Sequence, residues 1–92
     1  ADDPELAMQL MVESANEHPR VKKSPEPVAR LLKFGDNGIE LELRVWIDDP
    51  ENGVANVSSD INLAFWKRFK QHNITIPFPQ RDVHLQENPA SN

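Results

Sequence analysis

The spacing of apolar residues near the start of the chain predicts an amphipathic helix. Apolar and small side chains share one helical face at Leu6, Ala7, Leu10, Met11 and Ser14. Asp3 is placed to cap this helix, Pro4 suits its first position, and His18-Pro19 should end it after about Glu17. We interpret the apolar stripe as core packing and not as a ligand site.

Alternating apolar and polar residues then predict a β-hairpin. Residues 28–34 form its first strand, and residues 35–38, Gly-Asp-Asn-Gly, tolerate the positive φ of a tight turn. The second strand directs five apolar side chains toward a core, at Ile39, Leu41, Leu43, Val45 and Ile47. Glu40, Glu42 and Arg44 should face water or a neighbouring subunit. Residues 21–27, with two prolines, should form an exposed connector.

A second helical pattern follows the hairpin. Asp48-Asp49-Pro50-Glu51 repeats the acidic cap followed by proline that opens the first helix. Apolar residues then recur at helical spacing, at Val54, Val57, Ile61, Ala64, Phe65 and Phe69. This helix should run to about His72, with Asn73 as its stop.

A short strand is predicted near the end of the chain. Pro77 and Pro79 lack the N–H that a ladder requires, so the strand begins only after them. From there, Val83 and Leu85 fall on one face, opposite Asp82 and His84. Such a strand either completes this chain's own sheet or pairs with other copies. The polar residues 86–92 should form a disordered tail.

The order helix, strand, strand, helix, strand indicates an α+β fold. We interpret it as a ferredoxin-like α/β sandwich that lacks its first strand, with two helices on one face of a small antiparallel sheet. The missing strand would precede Ala1. The opening Ala1-Asp2-Asp3-Pro4, with no initiating Met and no signal segment, reads as an excised piece or a processed product.

Composition narrows the function classes. A net charge of −5 and a pI of about 5.0 disfavour a nucleic-acid role, which usually needs a basic face. The chain has no cysteine, which excludes disulfides, thiolate nucleophiles and Cys-ligated zinc. No apolar run approaches the about 20 residues of a spanning helix. We therefore expect no direct membrane insertion by this chain.

Motifs for catalysis or cofactor binding are not found in the sequence. The pair Asp48-Asp49 is explained as a helix cap, and His18, His72 and His84 lack a zinc-binding spacing. No nucleophile elbow or glycine-rich phosphate loop occurs. We therefore predict a protein that is not an enzyme and holds no metal or cofactor. Trp46, on the polar side of its strand, either forms a subunit interface or covers the edge of the monomer's own core.

Several stretches carry a family likeness. They are His18-Pro19-Arg20-Val21, Phe34-Gly35-Asp36, Leu43-Arg44-Val45-Trp46, Ser59-Asp60-Ile61-Asn62 and Ile74-Thr75-Ile76-Pro77-Phe78-Pro79-Gln80-Arg81-Asp82-Val83-His84-Leu85. Together they resemble the C-terminal cytoplasmic domain of bacterial small-conductance mechanosensitive channels, the MscS family. The ending Ile-x-Ile-Pro-x-Pro-Gln-x-Asp-Val after an amphipathic helix is the most specific of them.

The resemblance implies a homoheptameric channel of the bacterial inner membrane that opens under bilayer tension and releases ions and small solutes on hypo-osmotic shock. Residues 1–85 would be its non-catalytic cytoplasmic vestibule and assembly domain, with other copies, the rest of the channel and permeating ions as partners. Residues 76–85 would join a small parallel barrel on the symmetry axis, through Pro77, Phe78, Pro79, Gln80, Arg81, Asp82, Val83, His84 and Leu85.

Two further expectations concern charge and an alternative function. Glu40 and Glu42 would bias the ion atmosphere of the vestibule, over a Debye length of about 8 Å. The alternative to a channel domain is a free-standing ferredoxin-like regulatory module that binds a small ligand between copies, because this fold hosts unrelated functions.

Overall fold

The computed structural model describes residues 3–35, 38–74 and 81–87, with residues 34, 35, 38 and 81–87 described by their backbone alone. The elements follow the predicted order: α1 (Pro4–Asn16), β1 (Val28–Gly35), β2 (Gly38–Ile47), α2 (Ala55–Gln71) and β3 (Arg81–Glu87). A single 3-10 turn, Pro50–Asn52, precedes α2. The α+β class is therefore confirmed.

The first helix begins as the sequence predicts. The N–H of Leu6 donates to Oδ1 of Asp3 at 3.0 Å, and Pro4 occupies the first turn. One face is buried, through Ala7, Leu10, Met11, Ser14 and Ala15. The hydroxyl of Ser14 donates to the carbonyl of Leu10 at 2.8 Å, which satisfies a polar group inside the core.

The sheet has the order β1-β2-β3 and is mixed. β1 and β2 form the predicted antiparallel hairpin, with a register shift between Leu31 and Lys33. β3 runs parallel to β2, so the prediction of a wholly antiparallel sheet is wrong. The reason is that α2 carries the chain back along the sheet, so the next adjacent strand starts from the same end as β2.

β3 lies beside this chain's own β2. Its register runs from Leu41 opposite Arg81 to Ile47 opposite Glu87. The strand therefore includes residues 86 and 87, which were predicted to belong to the tail; residues 88–92 lie outside the described residues. In this single chain, the terminal strand completes the sheet, one of the two arrangements that the sequence allows.

The core lies between the two helices and one face of the sheet. β2 supplies its centre, because Leu41, Leu43, Val45 and Ile47 are each at most 1% exposed. The buried residues of α2 recur every fourth position, at Val57, Ile61, Phe65 and Phe69. Val21, in the connector predicted to be exposed, is also buried and bridges to Ile47. This packing is the main source of stability.

The predicted acidic cap of α2 is wrong. Gly53 has a φ of 102°, a conformation that side chains with a Cβ rarely adopt, and it separates the 3-10 turn from the helix. α2 consequently starts at Ala55 and not at Pro50. Val54 lies before the helix and is 42% exposed, so it does not join the predicted apolar face.

The end of α2 is set by Asn73, as predicted. Asn73 has a φ of 57°, and its N–H donates to the carbonyl of Lys70 at 3.2 Å. The N–H of Ile74 donates to the carbonyl of Phe69 at 2.8 Å, and Ile74 is 8% exposed. These paired bonds are the Schellman motif, in which the left-handed residue lets the last carbonyls find donors.

In residues 3–35, 38–74 and 81–87, no helix has the length and apolar character needed to cross a bilayer.

Replacing Asn73 tests this helix stop. Asn73→Ala should lower the free energy of unfolding by about 1 kcal/mol relative to Asn73→Gly, because alanine disfavours positive φ and glycine does not. Both variants lose the same side chain, so their difference isolates the backbone conformation. Urea unfolding monitored by circular dichroism measures it. Equal stabilities of the two variants would contradict the left-handed conformation at residue 73.

Candidate functional site

The face of the sheet away from the helices carries a three-residue ion cluster. Glu42 Oε1 accepts hydrogen bonds from Arg30 Nη2 at 2.8 Å, Arg30 Nε at 3.1 Å and Arg44 Nε at 3.0 Å. The hairpin register places Arg30 directly across from Glu42, and Arg44 follows two residues later on the same strand. Strand periodicity therefore brings all three side chains to one face, which we call the outer sheet face.

The electrostatics of this cluster differ from those of an isolated carboxylate. Glu42 is 6% exposed, whereas the Arg30 and Arg44 side chains are 51% and 38% exposed. Hydrogen bonds from Arg30 and then Arg44 hold the pKa of Glu42 below its ordinary value, against the opposing effect of burial. Glu42 is therefore ionised at neutral pH, and the three side chains together carry a charge of about +1.

The second glutamate of the outer sheet face has a different setting. Glu40 is half-buried and lies opposite Lys33, which is exposed. The sequence grouped Glu40 with Glu42 as two exposed acidic residues. The structure separates them, because only Glu42 lies between two arginines. Arg30 comes from a different strand, so the compensation of the Glu42 charge depends on the hairpin register and not on a local motif.

Part of the predicted barrel segment lies in β3. The backbone of residues 81–85 pairs with that of residues 41–45, and β3 is the outer strand of the sheet. In this chain its other edge is not covered by a strand of the described residues. Pro77, Phe78, Pro79 and Gln80 lie outside the described residues. Among the described residues, the outer edge of β3 thus has no strand partner, and it lies where the sequence predicts pairing between copies.

Trp46 lies near the end of β2. Its side chain is half-buried, and its carbonyl accepts a hydrogen bond from the N–H of Lys22 at 2.8 Å. This bond fastens the connector after α1 to the sheet. The role of the Trp46 ring at a subunit interface stays a prediction.

Arg20 binds the turn after β2 through contacts that the sequence did not reveal. Its Nε donates to the two carboxylate oxygens of Asp49 at 2.9 and 3.1 Å, and its Nη2 donates to the Asp49 carbonyl at 2.8 Å. Burial acts to raise the pKa of Asp49, but hydrogen bonds from Asn52 and Arg20 outweigh it and lower that pKa. The carboxylate predicted to cap a helix instead holds two distant segments together.

The neighbouring aspartate and histidine are also bound in structural contacts. Lys22 Nζ lies 3.1 Å from Asp48 Oδ1. His18 Nδ1 accepts the N–H of Arg20 at 3.2 Å, and its Nε2 lies 2.9 Å from Asp60 Oδ2. This arrangement ties the end of α1 to α2.

Arg68 adds further contacts between the end of α1 and α2. Its guanidinium donates to Ser14 Oγ at 3.1 Å and forms an ion pair with Glu17. Within the described ranges, no three His, Cys, Asp or Glu side chains converge as ligands for a metal ion. The charged groups named here are engaged in holding elements together.

Comparisons with known proteins cover the same stretch of chain. The model of the family described as "Mechanosensitive ion channel MscS, C-terminal" matches residues 1–76. An uncharacterized MscS family protein of Haemophilus influenzae is 33% identical over 86 residues, and one of Archaeoglobus fulgidus is 32% identical over 83 residues. The mechanosensitive channel MscK of Escherichia coli is 29% identical over 83 residues.

These relatives are longer than the chain compared with them. The matches cover 94% of this chain and 8% of the Haemophilus protein, 90% and 29% for the Archaeoglobus protein, and 90% and 7% for MscK. A solved structure of a MamM variant matches with a TM-score of 0.58, over 96% of this chain and 98% of that one. At 13% identity, this last likeness concerns the fold alone.

Acidification tests the Glu42 cluster. Because the folded-state pKa of Glu42 is lowered, its contribution to stability is fully present above the ordinary glutamate pKa of about 4.3 and is lost as pH falls through the folded value. Glu42→Gln should lower the free energy of unfolding at pH 7. On acidification, this variant should lose less stability than the unaltered chain does. Glu40→Gln is the matched control on the same strand. Denaturant unfolding at pH 7 and pH 3 measures this, and equal acid losses for Glu42→Gln and the unaltered chain would exclude the lowered pKa.

Proposed function

This chain belongs to the MscS family of mechanosensitive ion channels, as a C-terminal domain, and from that premise we propose that it is a non-catalytic vestibule and assembly domain. The parent channel opens under bilayer tension and releases ions and small solutes on hypo-osmotic shock. The domain lies at the cytoplasmic face of the bacterial inner membrane. Its partners are other copies of itself, the rest of the channel and the permeating ions.

The observation that carries the assembly role is the position of β3. It is the outer strand of a mixed sheet, and it follows a segment with two prolines. A strand edge that is not covered by strand or helix is a template for pairing with another chain. In a ring of seven copies, residues 80–85 of each subunit would leave β2 and close into a parallel barrel, in which both edges of every strand are paired.

The fold itself also fits this role. We interpret it as a ferredoxin-like unit in which β3 takes the position parallel to β2. A strand from the preceding part of a longer chain would compete for that position. Release of β3 from β2 would then leave the terminal strand available for the barrel, so assembly and intrachain pairing are alternatives for one segment.

The charges of the outer sheet face support the vestibule role. Glu40 and Lys33 are opposite each other on the hairpin, and the Glu42 cluster lies beside them. Fixed charges within about 8 Å of a passing ion change its local concentration at physiological salt. Seven copies repeat each charge around a ring. Two arginines compensate the charge of Glu42. A substitution that removes the Glu42 charge would therefore leave a net positive charge on the outer sheet face.

The mass of the chain in solution tests the assembly role. A version ending at residue 75 lacks β3 and the proline segment, while a version ending at residue 87 keeps both and serves as the matched truncation. Light scattering should give about seven chain masses for the full chain and for the longer version, and a single mass for the shorter one. Circular dichroism checks that the shorter version is folded. An unchanged mass after loss of β3 would exclude assembly by this strand.

Single-channel recording from the full-length channel tests the vestibule role. The channel should open under suction, and Glu40→Gln should reduce its preference for cations over anions. Lys33→Gln should shift that preference in the opposite direction, because the substitution removes a positive charge from the same place. Reversal potentials in a salt gradient measure both. Shifts of the same sign, or no shift in either variant, would exclude a position of this face along the ion path.

A further inference from the structure

The two helices carry charges of opposite sign on their exposed sides. α1 contains Glu5 and Glu13 and has no lysine or arginine. The second half of α2 contains Lys67, Arg68 and Lys70 and has no aspartate or glutamate. Because the whole chain has a net charge of −5, this basic stretch of helix differs from the rest of the molecule.

Exposed apolar side chains adjoin the lysines of α2. Leu63 is 54% exposed and Trp66 is 45% exposed, and both lie on the side of the helix away from its buried residues. Lys70 Nζ lies 4.5 Å from the centroid of the Trp66 ring, and Lys67 follows Leu63 by one helical turn. Lys67 has no ion-pair partner among the residues that the structure describes. We call Leu63, Trp66, Lys67 and Lys70 the α2 outer face.

The solvent side of α1 carries a complementary set of residues. Glu5, Gln9 and Glu13 recur every fourth position and are exposed. Met8 and Val12 lie beside this stripe and are only partly buried against the core. Glu13 accepts a hydrogen bond from Gln9 Nε2 at 3.2 Å, and Glu5 has no ion-pair partner within the described part of the chain. We call these five residues the α1 outer face.

Helix dipoles explain only part of this pattern. Glu5 lies in the first turn of α1 and Lys70 in the last turn of α2, where the dipole favours each of these charges. Glu13, however, lies in the last turn of α1, where the dipole disfavours a carboxylate. The dipole also gives no reason for the exposure of Leu63 and Trp66. A partner that covers both apolar side chains and meets the charges explains these features together.

A ring of seven copies needs two different surfaces for each contact between neighbours. A self-complementary contact joins copies in pairs only, so a ring uses one surface toward one neighbour and another surface toward the next. The α1 and α2 outer faces are two such surfaces, with opposite charges and apolar side chains on each. We propose that the α2 outer face of one copy binds the α1 outer face of the next copy. The inference rests on the proposed assembly into a ring and adds a contact in which β3 takes no part.

The charges of the two outer faces determine which surfaces meet, and the apolar residues supply most of the binding energy. Exposed ion pairs contribute little to affinity, whereas a tryptophan is often the centre of a protein interface. An anionic membrane surface matches the α2 outer face less well. Because α1 packs beside α2, the carboxylates of α1 would approach the same membrane and be repelled by it.

Paramagnetic broadening between copies tests the contact without requiring a stable ring. The chain has no cysteine, so Gln9→Cys provides a single attachment site for a nitroxide on the α1 outer face. The spin-labelled chain is mixed with the unaltered ¹⁵N-labelled chain, so all broadening arises between copies. The chain has two tryptophans, and the indole N–H signals of Trp66 and Trp46 report on the α2 outer face and on the sheet. The nitroxide should broaden the Trp66 signal more than the Trp46 signal.

A nitroxide at a second exposed position is the matched control. Leu32→Cys places the same label on β1, at a residue that is 46% exposed. The inferred contact does not include the sheet, so this label should broaden the Trp66 signal much less than the label at residue 9 does.

Charge reversal makes the result specific to the two outer faces. Lys67→Glu combined with Lys70→Glu in the ¹⁵N-labelled chain should reduce the broadening of Trp66 about tenfold, because like charges then oppose each other. Glu5→Lys combined with Glu13→Lys in the spin-labelled chain should restore the broadening to within about twofold, because opposite charges meet again. Circular dichroism checks that both reversed chains keep the helical content of the unaltered chain.

Three outcomes would overturn the inference. They are no broadening of Trp66 between unaltered copies, equal broadening from both label positions, and no restoration by the pair of reversed chains. In the first case, sedimentation of the unaltered chain with vesicles of phosphatidylglycerol would assign the α2 outer face to an anionic membrane surface instead.

Failure of the contact and failure of the proposed function give different results. A full-length channel that conducts under suction, together with no Trp66 broadening, would overturn the contact alone. A full-length channel without current under suction, together with broadening that the reversed pair restores, would overturn the channel role and leave the contact between copies in place.

Discussion

The pairing of β2 on both of its edges is the constraint on which the rest of this structure depends. β2 bonds to β1 in the antiparallel sense on one side and to β3 in the parallel sense on the other. Its apolar side chains form the centre of the core, and its polar side chains lie on the outer sheet face. A shift of one residue in its register would exchange these two sets. The register of β2 therefore determines the core, the ion cluster and the strand edge at the same time.

The two faces of β2 place different demands on their neighbours. On the inner face, Leu43 and Val45 need only apolar contact, which many residues of α1 and α2 can supply. On the outer face, Glu42 is nearly buried and needs two specific donors. Removing either arginine would leave a desolvated carboxylate with fewer bonds. The hairpin register is thus fixed by burial on one face and by charge pairing on the other.

Features that depend on neighbouring residues in the sequence were predictable, and features that depend on distant partners were not. Asp3 caps α1 through a residue three positions away, and Asn73 ends α2 through its own backbone conformation. The alternation in β2 likewise gave its buried face directly. In contrast, the local sequence predicted Asp49 to be a helix cap. Its partner in the structure, Arg20, lies 29 residues away in the chain, so local spacing does not reveal the contact. The parallel direction of β3 depended on which strand it would join, and its sequence carries no signal for that choice.

The terminal segment connects these observations to assembly. β3 gains its hydrogen bonds by completing the edge of β2, but it then presents an edge of its own. A strand in that position is satisfied on one side only, and a closed ring of copies is the arrangement that satisfies both sides without further addition. The prolines before it, at positions 77 and 79, cannot extend the ladder toward α2 and so confine pairing to the residues that follow. Exchange of this short strand, as proposed above, would leave the antiparallel pairing of β1 with β2 in place, because β1 occupies the opposite edge of β2. A hairpin that keeps its pairing while the terminal strand exchanges partners would suit the assembly role proposed above.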